Sequence, residues 1–236
     1  MTDTAREGAN DTAAQERDLG RLDAFSDGVF AIAITLLVLT IQVPDPSSLG
    51  RRSLASALLH NWPVYVAYIV SFVFVLIMWV NHHNMFKAIA RVDHGLLLFN
   101  GALLLFVTLV PFPTSLLAQY LDRRDAATAA AVYNGLFTAI AIVFNLLWRY
   151  IVTHPTLLRV RPDEATLASI TRRYRFGPVL YFVALLVGFI YVRASIALSL
   201  GLAIYFALPH EPHEPHAMPQ HDAIEALAQR NTEQGA

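Results

Sequence analysis

Residues 21–44 read RLDAFSDGVFAIAITLLVLTIQVP: an arginine, a serine and two aspartates at the mouth of an apolar run that stops at Pro44. The stretch 24–43 is long enough for a helix to cross about 30 Å of hydrocarbon with its backbone hydrogen bonds made internally. Asp27 sits just inside it. A carboxylate there costs about 2.5–3.5 kcal/mol at the bilayer centre and less near an interface, so it needs a partner or a task.

The rest of the chain agrees with a membrane reading. Of 236 residues, 56% are hydrophobic and 15% charged, with a mean hydropathy of +0.47, more apolar than a soluble domain of this size. Further apolar blocks at 63–80, 95–117, 130–153, 173–190 and 192–208 bring the total to six spans, an all-α polytopic membrane protein. The run from Phe176 to Leu208 is interrupted only by Arg193, and two spans fit its length better than one tilted helix. Trp62 and Pro63 open the second span as an interfacial aromatic and a first-turn proline. The chain has no cysteine, which removes disulfides, thiolate metal sites and cysteine catalysis. A net charge of −1 favours neither nucleic acid nor a strongly charged partner.

With the N-terminus inside, cytoplasmic segments hold twelve of the 17 Lys and Arg residues and the opposite side five, so both termini are expected in the cytoplasm. Residues 1–18 lack periodicity and carry no secretory signal, and are read as a disordered tail. Residues 209–236 form a second cytoplasmic tail, with PHEPHEPHAMPQH ahead of a short helical pattern. The six-helix transmembrane domain is therefore 19–208. No metal is expected at the His-rich tract, whose side chains no fold holds in place. His82 and His83, about 100° apart on a helix, cannot share one metal either.

Direction on the first span can be worked out at about 100° per residue. With Asp27 at zero, Ala31, Ile34 and Val38 fall within about 40° of it, whereas Ile32, Leu36 and Leu39 fall near 140°, 180° and 120°. Acid and stripe face different ways. The stripe either meets lipid or a neighbouring helix, or it lines a narrow apolar pore that gates by dewetting. Periodicity alone does not choose.

The opening stretch resembles the Arg-x-x-x-Phe-Ser-Asp signature, with its Val-Phe-Ala-Ile-Ala-x-Thr-Leu-Leu-Val-Leu run, of the prokaryotic branch of the transmembrane protein 175 potassium channels. WVNHHNMF at 79–86 is similar to the end of that family's second helix, and NGALLLFVTLVPFPTSLLAQY at 100–120 to its third. The resemblance covers roughly residues 19 to 208; the fifth and sixth spans carry no motif that matches. It implies a homotetramer in the inner (plasma) membrane of a prokaryote, with the first helix of each subunit lining the axis. It also implies a path for potassium and other monovalent cations without cofactor, used as a leak pathway. Carried over by position, Ile32 forms the tightest hydrophobic ring, Leu36 and Leu39 further rings, and Thr35 supplies hydroxyls beside them.

Asp27, facing away from that stripe, is then expected to be held inside the subunit. Arg21, Phe25, Ser26, Trp79, His82, His83 and Asn100 make the network that fixes the pore helix. An enzyme is set aside: Ser71 and Ser115 have no intramembrane His, and Asp27 is the one membrane-embedded carboxylate. A proton-coupled secondary transporter is the rival reading, with Asp27 beside His82 or His83 as the relay. No inverted repeat or Gly/Pro-broken pair of helices supports it.

Overall fold

The structure is a computed structural model that describes residues 3–159 and 164–207. Among them all regular structure is helical, with one isolated antiparallel bridge between Ile89 and Leu158 and no strand. The elements are α1 (Asp3–Leu36), continued by a 3-10 turn (Leu37–Thr40), α2 (Pro46–Leu49), α3 (Leu54–His60), α4 (Trp62–Lys87), α5 (His94–Thr108), α6 (Pro111–Tyr120), α7 (Ala126–Thr153), α8 (Glu164–Gly188) and α9 (Val192–Ala207). Four stretches are long and apolar enough to cross a membrane: Ala13–Thr40, Trp62–Lys87, His94–Tyr120 and Ala126–Thr153. The last two expected spans correspond to α8 and the shorter α9, which pack together after a tight turn at 189–191.

Two features depart from the sequence reading, and a third lies where it assigns no element. First, helix continues where a disordered tail was expected at 1–18, because α1 starts at Asp3. Nine of residues 3–18 are Ala, Glu, Arg or Gln, which favour helix without any apolar stripe. Arg17 Nε donates to Ala13 O along it. The other tail, 209–236, lies outside the described residues. Second, the third span is broken. Pro111 and Pro113 donate no backbone hydrogen bond, so α5 closes with Val110 N bonded to Val107 O and α6 restarts at Pro111. Third, the first and second spans are joined through α2 and α3, started by side-chain caps from Asp45 to Ser47 N and from Ser53 to Ser56 N.

The core is built mainly from α4, α5 and α7, with α1, α6, α8 and α9 packed against it. Phe74 stacks on Phe137 at 4.2 Å and meets the edge of the fully buried Tyr133. Hydroxyls buried there are satisfied in small groups, as intramembrane polar atoms must be. Thr114 Oγ1 donates to Ser71 Oγ at 2.8 Å, and Ser71 Oγ lies 3.0 Å from Tyr133 Oη. Asn134 receives Ser199 Oγ at 2.7 Å and donates to Ser195 Oγ at 2.7 Å, pinning α9 to α7. At the start of α5, Asp93 caps Leu96 N at 2.7 Å and accepts from Tyr150 Oη at 2.8 Å. Glycine at 95 makes room for the end of the Tyr150 ring, which a Cβ there would push aside.

α1 lies against α4 and α5, with its 3-10 end on α4 and α6. It is held through one face only, and that face sets where every other side chain on it points.

Candidate functional site

The buried face of α1 consists of Ser26, Phe30, Ala33 and Leu37. At 100° per residue these cluster about 90° to one side of Asp27, so the opposite flank, near 120–180°, points away from the subunit. There stand Ile32, Leu36 and Leu39, exposed by 58%, 41% and 70%, while Phe30, Ala33 and Leu37 are 1% exposed or less. Thr35 is exposed beside them and donates its hydroxyl to Ile32 O at 2.9 Å. Its own backbone satisfies that proton, leaving oxygen lone pairs outward in an otherwise apolar stripe.

The 3-10 turn changes the register of this stripe. Three residues make one full turn of a 3-10 helix, so residues three apart eclipse. Leu37 and Thr40 accordingly share the buried side, joined by a 2.8 Å bond from Thr40 Oγ1 to Leu37 O. By the same winding Leu39 lies over Leu36, where an unbroken α-helix would have turned it about 60° away.

At the entrance two separate polar chains link α1 to its neighbours, where the sequence reading has one network around Asp27. In the first, Trp79 Nε1 donates to Asp27 Oδ1 at 2.7 Å, and the indole stacks on the His83 ring at 5.6 Å. In the second, Ser26 Oγ donates to Leu22 O at 2.8 Å and accepts from Asn100 Nδ2 at 2.9 Å. Asn100 Oδ1 then lies 2.8 Å from His82 Nε2. Ser26 and Asp27 are neighbours in sequence, so their side chains leave the helix about 100° apart and meet different partners.

Because Asn100 uses its amide nitrogen on Ser26, it offers oxygen to the imidazole, and His82 Nε2 is the donor. Ser26, His82 and Asn100 are all at most 1% exposed. The His82 ring is held between Phe86, at 4.1 Å, and Phe30, at 5.4 Å.

Arg21 is not brought to Asp27. It lines an open groove with Asp18, Leu22, Phe25, Val92, Asp93, His94 and Leu97. Among the described residues the one ion pair is Arg193 with Asp122, on the far side. Phe25 is 63% exposed at the rim of the same groove. Sequence reasoning passed over Asp23, which stands one turn before Asp27. The i, i+4 spacing of the two acids was the available signal.

Comparison with known proteins follows the same residues. A family model described as endosomal/lysosomal potassium channel TMEM175 matches residues 21–111, which hold both polar chains and the stripe. A potassium channel of Chamaesiphon minutus is 52% identical over 196 residues, 83% of this chain and 97% of that protein. One of Streptomyces collinus is 43% identical over 196 residues, 82% of this chain and 93% of that one. The crystal structure of a Chamaesiphon minutus homolog of the lysosomal potassium-selective channel TMEM175 superposes with a TM-score of 0.75 at 51% identity, covering 81% of this chain and 97% of that one.

Proposed function

Because the chain belongs to the TMEM175 family of potassium channels, whose members are not enzymes, we propose that four copies of it enclose a potassium-permeable path with α1 of each subunit on the axis. The observation that carries this reading is the division of α1 into two faces. Phe30, Ala33 and Leu37 anchor it to its own subunit, while Ile32, Leu36 and Leu39 are left facing outward in one column.

Four such columns about a symmetry axis make stacked aliphatic rings with a ring of Thr35 hydroxyls between them. A bare ion gains nothing from Ile or Leu, so passage is governed by how readily it sheds water. Potassium holds its shell more loosely than sodium, and larger alkali ions pass at least as well. The polar chains at the entrance fix the pore helix: Asp27 by Trp79 with His83 behind it, and Ser26 by Asn100 with His82 behind it. In this assembly each subunit spans the membrane six times in a prokaryotic plasma membrane, with both termini cytoplasmic, and the pathway serves as a leak that sets membrane potential.

Reversal potentials in a planar bilayer test the assignment. Wild type passes current down a potassium gradient alone, with no second ion or substrate. Ile32→Asn, which wets the narrowest ring, raises the current and brings the potassium and sodium permeabilities together. Currents unchanged by Ile32→Asn would place the path elsewhere, and a requirement for a proton gradient would favour a coupled carrier.

A further inference from the structure

We propose that Asp23, Asp27 and His83 form a binding site for a first-row divalent cation of the zinc class at the mouth of α1. One donor atom from each lies within 4.8 Å of the other two. A tetrahedral zinc shell has donor separations of about 3.4 Å, so small rotations of the three side chains close it.

Three observations point to a cation here. The acids stand on successive turns of one helix, where like charges repel, yet among the described residues no arginine or lysine pairs with either. Donor atoms are also left over: Asp23 Oδ1 and His83 Nδ1 are both buried without a hydrogen-bond partner. Buried polar atoms are rarely left so unless something outside the chain completes them. Beside them the fully buried His82, committed through Nε2 to Asn100, likewise leaves Nδ1 unpartnered.

The donor set names the ion class. Two carboxylates and one imidazole suit zinc, manganese or iron, whereas calcium and magnesium take oxygen alone. Trp79 completes the arrangement by donating to Asp27 Oδ1, which orients the carboxylate and leaves Oδ2 to the metal. His82 and His83 need not share an ion, since His83 alone supplies the imidazole. The site stands whether or not α1 lines a pore.

The test uses the full-length protein in detergent with zinc chloride as the only added ligand. The competing histidines of the C-terminal tract, His210, His213, His216 and His221, are first replaced by alanine. Calorimetry is expected to give one zinc per subunit in that background. Asp23→Asn and His83→Gln are each expected to weaken binding about tenfold or more, and Trp79→Phe by about tenfold. Zinc X-ray absorption on the otherwise unchanged site is expected to show a single imidazole among oxygen ligands, which keeps the test independent of how the variants fold. Loss of all binding with the tail histidines, affinity unchanged by Asp23→Asn and His83→Gln, or a shell of several imidazoles would overturn the assignment.

Discussion

Replacing Asn100 by alanine removes the residue that joins α5 to both α1 and α4. Two bonds are lost, at 2.9 Å to Ser26 and 2.8 Å to His82. They are not equivalent. Ser26 keeps its bond to Leu22 O, so it loses only an acceptor role. His82 is fully buried with Nδ1 already unpartnered, and without Asn100 neither ring nitrogen has a partner in the protein. An orphaned buried donor costs about 1–3 kcal/mol, whereas interhelical hydrogen bonds in membranes average about 0.6 kcal/mol and reach about 1.7. Together these place Asn100→Ala at about 2 kcal/mol of destabilisation, some of it from the void.

A double-mutant cycle with His82→Phe separates the void from the bond, because the void is common to both arms. The expected coupling is about 1 kcal/mol, read from denaturant unfolding of the purified protein in mixed micelles. Additive effects, with coupling indistinguishable from zero, would refute the reasoning that the Asn100–His82 bond clamps these helices.

Trp79→Phe deletes one charge-assisted bond to a half-buried carboxylate and is expected to lower stability by about 1–2 kcal/mol. Asp27→Asn should recover part of that loss in the same unfolding assay by removing the charge left behind. Asn134→Val breaks the bonds to Ser195 and Ser199, and is expected to loosen α9 so that proteolysis in the 189–191 turn accelerates while cleavage at 121–125 is unchanged. Burial of the Asp93 carboxyl acts to raise its pKa, but bonds from Leu96 N and Tyr150 Oη, with His154 nearby, hold it below the usual value. The depressed value means that the stabilisation is complete above about pH 4 and fades as pH falls through the folded pKa. Thermal unfolding should therefore separate wild type from Asp93→Ala at pH 6 by about 1 kcal/mol, with the gap narrowing below pH 4.

The course of α1 was legible because hydrophobic length and direction both reside in residues 24–43, and the motif around Phe25, Ser26 and Asp27 is rare at a helix entrance. Partnerships across helices were less so. Arg21 looked like the counter-charge for Asp27 because sign and proximity in sequence suggest pairing. Its position on the helix instead turns it into the groove beside Asp93 and His94. Ser26 and Asp27 were read as one network since adjacency hides the 100° between them. The break before Pro111 was present in the letters, yet hydropathy averages over a kink. The N-terminal helix has no apolar face, so a search for periodicity passes over it.

The four residues from Leu37 to Thr40 are wound tighter and rise faster than the helix beneath them. Rewinding this short thread to the ordinary pitch would shorten it by about 2 Å and swivel Leu39 by about 60° relative to Leu36, with the lower helix left in place. In the proposed tetramer, where Leu36 and Leu39 ring the axis, twisting this single turn of backbone would change the bore.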